Sequence, residues 1–134
     1  MTVFAQATIL VLEHEGGLRS LACRVLAGQA YHVLEAADGS QACETAATEA
    51  TIDLLICDVD VAQIRARTLV TAIRLFHPEL DVVFSSARTD RELLTRGFDI
   101  GIDHLLKRPF NGTQLMDAVR AALRFEPLVS LDLR

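Results

Sequence analysis

The sequence of 134 residues has no tryptophan, only three prolines and aromatic residues at 5% of its positions. Proline interrupts helix interiors, so its scarcity leaves room for long helical segments. About half of the residues, 51%, are hydrophobic, which argues against a disordered chain, because disordered segments contain too few apolar residues to form a core. A chain of this length is most simply a single domain. We therefore expect one ordered domain rich in helix.

Positive charge is also scarce. The formal net charge is −5, and Lys107 is the only lysine among the thirteen lysines and arginines. The arginines are scattered along the chain and form no basic stripe. A protein that binds nucleic acid directly presents clustered positive charge to the phosphates. We therefore expect no direct nucleic-acid partner.

Cysteine pairs and long apolar runs are missing as well. Cys23, Cys43 and Cys57 are odd in number and lack the C-x-x-C spacing of zinc and redox sites, so we interpret them as small core residues in a reducing compartment. No run approaches the roughly 20 apolar residues that cross a bilayer, and the N-terminus has no basic lead typical of a signal peptide. We predict a cytoplasmic protein without a membrane partner.

Short apolar runs of strand length alternate five times with longer segments of helical spacing. A helix supplies the dozen or more residues that a crossover between parallel strands needs, so the pattern predicts a parallel sheet with helices on both faces. The predicted strands are residues 8–12, 32–34, 52–57, 82–84 and 102–106.

The helical segments carry apolar stripes and boundary signals. Residues 1–125 form the predicted domain, and residues 126–134 are expected to be a tail or the start of a linker. The predicted boundaries are an end near Gly28, starts near Asp38 or Ser40, Thr89 and Asn111, and a stop before Pro78. The predicted buried stripes are Leu18, Leu21, Ala22, Val25 and Leu26; Ala42, Ala46 and Ala47; Leu69, Val70, Ile73 and Phe76; Leu93, Leu94 and Phe98; and Leu115, Met116, Val119, Ala122 and Leu123.

Polar residues follow the ends of four predicted strands. Ligands of such sheets bind at the carboxyl ends of the strands, so these groups should share one cleft. A carboxylate there can attack phosphorus when a dication neutralises the nearby charge, and a hydroxyl and a cation can hold the phosphoryl oxygens. The pattern predicts a phosphoryl and metal site. Its groups are Glu13-His14-Glu15, Asp58 with Asp60, Ser85-Ser86 and Lys107-Arg108-Pro109.

Five segments together resemble the receiver domain of two-component response regulators. They are ILVLEHE, VLEAADGSQA, DLLICDV, VVFSSA and GIDHLLKRPF, in this order. The resemblance implies a flavodoxin-like three-layer α/β sandwich whose five-stranded parallel sheet has the order 2-1-3-4-5. It implies a phosphorelay component, not an enzyme, that receives a phosphoryl group from a histidine kinase or a histidine phosphotransfer protein. A homodimer is left open.

Carried over by position, the resemblance makes Asp58 the phosphoacceptor. Glu13 and His14 stand where the family has its acidic pair, and with Asp58 and the backbone carbonyl of Asp60 they would bind Mg²⁺. Imidazole is a poor ligand for Mg²⁺, so we expect weak binding or replacement by Mn²⁺. Glu15 would reach the site only if the strand geometry bends.

The phosphate-contacting and switch positions also depart from the family. Ser86 stands at the family's Thr or Ser. Ungapped alignment places Arg108 at the family's lysine, which preserves the charge but changes the shape, whereas a bulge would bring Lys107 into the cleft instead. Leu105 replaces an aromatic switch residue. The loop VDVAQIRAR after Asp58 lacks the usual proline and glycine, and the bond before Pro109 is a candidate for the cis form.

Three alternatives remain open. The chain could be a degenerate receiver that acts as a phosphorylation-independent interaction module, with Arg108 paired to Asp58 in a metal-free site. Ser86 could simply cap the following helix. The motif from Asp58 to Val61 also fits D-x-D-x-[TV] of haloacid dehalogenase-like phosphatases, but it lies on the third predicted strand of a short chain. Of the histidines, we expect surface or packing positions for His32, His77 and His104.

Overall fold

The computed structural model describes residues 2–4, 6–61, 64–123 and 128–130. Strands and helices alternate along most of this chain. The strands are β1 (Thr2–Phe4), β2 (Thr8–Leu12), β3 (His32–Ala36), β4 (Leu54–Asp58), β5 (Asp81–Ser86), β6 (His104–Lys107) and β7 (Leu128–Ser130), and the helices are α1 (Gly16–Gly28), α2 (Gly39–Thr48), α3 (Ala66–Arg74), α4 (Asp90–Thr95) and α5 (Gly112–Ala122).

Five strands form one parallel sheet in the order β3-β2-β4-β5-β6. Numbered among themselves along the chain, these strands follow the order 2-1-3-4-5, so the predicted flavodoxin-like topology is confirmed. The order reverses between β2 and β4, where Leu12 is in register with Cys57. Asp58 is in register with Ser85 on the next strand. The chain thereby gathers the ends of β2, β4 and β5 at its topological switch point.

The core lies on both faces of the sheet. Every residue of β2 and β4 is buried. Successive side chains of a strand point to opposite faces, so Leu10 packs with residues of α2 and α3, and Ile9 packs with residues of α1 and α5. Cys57 is buried among the first group, and burial raises the pKa of its thiol. Cys57 is therefore a core residue, as predicted.

Helix starts follow the predicted side-chain caps. The carboxylate of Asp38 accepts the backbone N–H of Gln41 at the start of α2. Thr89 and Asn111 begin α4 and α5 with capping boxes, and α1 ends at Gly28. In each box a side-chain oxygen accepts a backbone N–H that has no partner within the helix.

Two helices end earlier than their apolar stripes suggested. Helix α3 ends at Arg74, and Phe76, predicted to be buried, is 57% exposed because it lies in the turn after the helix. Helix α4 ends at Thr95, yet Phe98 beyond it is buried. Leu94 faces solvent at 59% exposure, so its predicted core position was wrong. Gly97, in the turn after α4, has a φ of 88°.

The fifth strand of the sheet begins later than predicted. Ile102, the predicted first residue, is 76% exposed and precedes β6. The carbonyl of Asp99 accepts the N–H groups of Ile102 and Asp103, and the Asp103 carboxylate accepts the N–H of Asp99. This closed turn delays the strand to His104. Similarly, β4 begins at Leu54.

The terminal segments pair with each other. Strand β7 runs antiparallel to β1, with Val3 opposite Val129, so part of the segment predicted as a tail is a strand. The predicted domain boundary after residue 125 lies outside the described residues. In the described part of the chain no helix has the length and apolar character to cross a membrane, and the longest, α1, has 13 residues.

Candidate functional site

Asp58 ends the central strand β4 and is the centre of a charged cluster at the carboxyl edge of the sheet. Its side chain is only 1% exposed. One carboxylate oxygen, Oδ1, accepts the backbone N–H of Asp60 at 2.8 Å. The other, Oδ2, lies 2.5 Å from Nδ1 of His14 and 3.0 Å from Nη2 of Arg108. Both oxygens of this carboxylate therefore have partners within the protein.

Glu13 follows β2 and is fully buried beside Asp58. Its Oε2 accepts the hydroxyl of Ser85 at 2.5 Å, and its Oε1 lies 2.6 Å from Nη2 of Arg108. Burial raises the pKa of Glu13, and the neighbouring Asp58 adds to the increase, whereas the hydrogen bond from Ser85 and the charge of Arg108 oppose it. Two carboxylates are thus held side by side out of solvent, an arrangement that requires a nearby cation.

Arg108 provides that cation. It follows β6, its backbone N–H donates to the carbonyl of Ser86 at 2.9 Å, and its peptide bond to Pro109 is cis. Nη2 contacts Glu13, Asp58 and, at 3.1 Å, the hydroxyl of Ser85. Burial opposes the charge, but the carboxylates of Glu13 and Asp58 outweigh it and raise the pKa of Arg108. The guanidinium therefore bridges both acids as a permanent charge.

His14 caps the cluster on its solvent side. The side chain is 58% exposed, and its Nδ1 donates to Oδ2 of Asp58, because an ionised carboxylate can only accept. The imidazole therefore contacts the predicted phosphoacceptor directly. Glu15 does not join it, since its carboxylate accepts the N–H groups of Gly17 and Leu18 as the N-cap of α1.

Asp60 turns its side chain away from Asp58. Its Oδ1 accepts hydrogen bonds from Arg88 at 2.8 Å and from Arg96 at 3.2 Å. Arg88 also contacts Glu92, four residues along in α4. Ion pairs therefore connect the loop after Asp58 to Arg88, which precedes α4, and to Arg96, which follows it. Residues 62 and 63 of the VDVAQIRAR loop lie outside the described residues.

Three other predicted site residues do not contact the two buried carboxylates. The buried hydroxyl of Ser86 accepts the backbone N–H of Arg88 at 2.9 Å. Lys107 donates through Nζ to Asp90 at 2.6 Å and to the carbonyl of Arg88 at 3.1 Å. Leu105 packs partly buried against the core on the α2 and α3 face. The ungapped register is therefore the one that the structure adopts, with Arg108 in the cleft and Lys107 outside it.

Ser85 contacts Glu13, although of the two adjacent serines only Ser86 was predicted to contact the phosphate. Asp58 is in register with Ser85, and Glu13 lies one step beyond the pair Leu12 and Cys57. The three polar residues therefore form one row across three strands, on the same face of the sheet. Counting this register from the sequence would have selected Ser85 in preference to Ser86 as the partner of Glu13.

The side chains gathered here do not match the requirements of Mg²⁺. Receiver domains generally bind this ion at their acidic site. Mg²⁺ requires nearly octahedral oxygen coordination, but all four carboxylate oxygens of Glu13 and Asp58 contact protein donors, and the third acidic position is occupied by His14. Among the described residues, no three His, Cys, Asp or Glu side chains are grouped to hold a metal ion. Of the predicted set, the carboxylates of Glu13 and Asp58 are paired with Arg108 in this structure.

The two adjacent serines provide a direct test of this geometry. Ser85→Ala removes a hydrogen bond to a buried carboxylate, so we expect it to lower the free energy of unfolding by about 1.5–3 kcal/mol. Ser86→Ala removes one bond to a backbone N–H and should lower it by about 1 kcal/mol. Urea unfolding of both variants measures the difference, and equal losses would contradict the contact between Ser85 and Glu13.

The parallel sheet is covered by helices on both faces, which makes the chain an α/β domain. Its buried acids lie at the topological switch point and form a charged site at the carboxyl edge of the sheet. A family model described as the response regulator receiver domain matches residues 9–120. The chain therefore belongs to the response regulator receiver domain family, as the sequence segments predicted.

The sequence relatives include two transcriptional regulatory proteins. CpxR of Escherichia coli (strain K12) is 31% identical over 116 residues, and PrrA of Mycobacterium tuberculosis (strain ATCC 25618 / H37Rv) is 28% identical over 116 residues. Each match covers 87% of this chain but 49% of the relative. The chain thus spans about half the length of the curated relatives that it matches.

Solved structures of receiver proteins share the fold. The chemotaxis protein CheY4 of Vibrio cholerae is 25% identical to this chain. The two structures superpose with a TM-score of 0.78, over 89% of this chain and all of CheY4. The receiver domain from the hybrid histidine kinase CckA is 35% identical to this chain. The two structures superpose with a TM-score of 0.70, over 87% of this chain and 99% of the CckA domain. Both matches agree with the receiver family and its parallel sheet.

Proposed function

We propose that this receiver domain acts in two-component signal transduction by accepting a phosphoryl group on Asp58. One observation carries the proposal: Asp58 is a buried carboxylate at the end of the central strand, in contact with the guanidinium of Arg108. Receiver domains interact with histidine kinases. The donor would be the phosphohistidine of such a kinase or of a histidine phosphotransfer protein, and the domain would work in the cytoplasm without catalytic turnover of its own.

The transfer is a displacement at phosphorus. A carboxylate oxygen of Asp58 forms the new P–O bond, the P–N bond of the phosphohistidine breaks, and the imidazole leaves with the electron pair and takes up a proton. Arg108 and His14 already donate to Oδ2 of Asp58. They are therefore placed to neutralise the negative charge that the phosphoryl oxygens bring into the cleft.

The response would pass through the loop that follows Asp58. The backbone N–H of Asp60 contacts Asp58, and the side chain of Asp60 binds Arg88 and Arg96 around α4. A phosphoryl group on Asp58 competes for the same N–H and shifts the balance between two arrangements of this loop and helix.

The proposal is tested by intact mass after incubation with acetyl phosphate, with Mg²⁺ in one sample and a chelator in another. We expect the mass of one phosphoryl group to be added to the native protein and to Asp53→Asn but not to Asp58→Asn. Asp53 is the matched control, because its carboxylate lies near the opposite end of the same strand and accepts the N–H of Thr8.

The same experiment separates signalling from simple binding. If neither acetyl phosphate nor a phosphorylated kinase adds mass, the site favours the alternative of a phosphorylation-independent interaction module. Mass gain that persists in Asp58→Asn would assign the acceptor to another residue.

A further inference from the structure

We propose that Arg108 takes the place of the divalent cation, so that the Asp58 site functions without a bound metal ion. The inference deepens the proposed function and rests on it for the role of Asp58, although its metal-binding test does not depend on phosphorylation. It starts from the charge of the cleft. Two carboxylates, Glu13 and Asp58, face one guanidinium, and the third acidic position of the family pattern is His14.

The balance of charge disfavours a second cation. A dication added to two carboxylates and a guanidinium would give the buried cleft a net positive charge. The repulsion would be strong, because Nη2 of Arg108 lies 2.6 Å from Glu13 and 3.0 Å from Asp58, the two acids to which the ion would bind. Buried charges interact through a low effective dielectric, so solvent screens this repulsion only weakly.

Because the cation in the cleft is an arginine, its positive charge persists when it is buried. A lysine at this position can lose its proton when it is buried, but an arginine cannot. Nη2 of Arg108 also bonds to the Ser85 hydroxyl, and the backbone N–H of Arg108 donates to the carbonyl of Ser86. A metal ion that displaced the guanidinium would have to break its contacts with three oxygen atoms at once.

Other groups of the protein also donate hydrogen bonds to these carboxylates. Ser85 donates to Oε2 of Glu13, the backbone of Asp60 donates to Oδ1 of Asp58, and His14 donates to Oδ2. Mg²⁺ releases its bound water reluctantly and requires nearly octahedral oxygen ligands. Each hydrogen bond that the ion must displace lowers its net affinity. Donors from this chain therefore neutralise the carboxylate charges that a metal ion neutralises in the family pattern.

The first test is titration of the protein with MgCl₂ and MnCl₂, followed by backbone amide NMR without any phosphodonor. We expect no specific shift or paramagnetic broadening at Asp58 and Asp60 at millimolar concentrations in the native protein. The double variant His14→Asp with Arg108→Lys restores the family's acidic pair and lysine. It should bind Mg²⁺ roughly tenfold more tightly or better. His32→Asp is the matched control, because it adds the same carboxylate at an exposed residue that begins β3 and should leave binding unchanged.

Any of three results of the metal titration would overturn the inference. They are native binding of Mg²⁺ that is lost in Asp58→Asn, no gain in the double variant, and a gain in His32→Asp equal to that of the double variant. Phosphorylation of Asp58 that requires Mg²⁺ would also overturn it while the proposed function stands. Conversely, no phosphorylation with or without metal, together with no metal binding, would reject the proposed function and leave the assignment of Arg108 intact.

Discussion

Arg108→Ala is expected to lower the free energy of unfolding by about 3–5 kcal/mol at neutral pH, because it removes the cation from two buried carboxylates. Glu13 is fully buried and Asp58 is 1% exposed, so neither acid gains enough water to replace the lost charge. The guanidinium contacts both of them through Nη2. Urea unfolding of the native protein and the variant measures the loss.

The loss should depend on pH in a defined direction. Burial already raises the pKa of Glu13 above its usual value of 4.5, and removal of Arg108 raises it further. Between 4.5 and that raised pKa, the folded variant binds a proton that the unfolded chain does not. The variant therefore regains stability, relative to the native protein, as the pH falls through this window, and loses it as the pH rises.

Arg120→Ala is the matched control for this prediction. Arg120 is 55% exposed and makes one ion pair of 3.7 Å with Asp117, within α5. Exposed ion pairs contribute at most about 1 kcal/mol. Similar losses in the two variants, or a loss in Arg108→Ala that does not change with pH, would contradict the bridging role of Arg108.

His77→Ala is expected to lower the free energy of unfolding by about 3 kcal/mol, because it leaves two buried backbone groups without partners and opens a cavity. His77 is 7% exposed. Its Nδ1 accepts the N–H of Ile52 at 3.2 Å, and its Nε2 donates to the carbonyl of Ala46 at 2.8 Å. One ring thus ties α2 to the segment that enters β4.

His32→Ala separates this effect from the loss of any imidazole. The His32 side chain is exposed at the start of β3, and its replacement should change the free energy of unfolding by no more than about 0.5 kcal/mol. His77→Gln, which keeps both a donor and an acceptor, should recover part of the loss. Thermal unfolding followed by circular dichroism measures all three variants, and a His77→Ala loss as small as that of His32→Ala would contradict the bridge.

The sequence predicted the parallel sheet because its signals are local and repeated. Each strand is a short apolar run, and the caps at Asp38, Thr89 and Asn111 depend on residues within three positions. The boundary that failed at β6 depends on a turn that the apolar pattern does not mark. Ile102 is apolar and stands next to a strand, but the turn closed by Asp99 and Asp103 keeps it outside.

The ends of the predicted strands were enough to locate the site in the sequence. The contacts that depend on the direction of a side chain were missed. Position along the chain was enough to place Glu13, Asp58 and Arg108 in one cleft. It did not reveal that Ser85 binds Glu13 while Ser86 turns to a backbone N–H, since that choice follows from the register between strands. The arginines on Asp60 were missed because their partners lie 28 and 36 residues away.

Lys107 has a practical consequence for chemical labelling. It supplies the only side-chain amine in the sequence, so an acylating reagent has a single lysine to modify. In the folded protein this amine is held by Asp90 and by the carbonyl of Arg88 at the start of α4. The rate of acylation, compared with that of the denatured chain, therefore measures how far these two contacts protect the Lys107 amine.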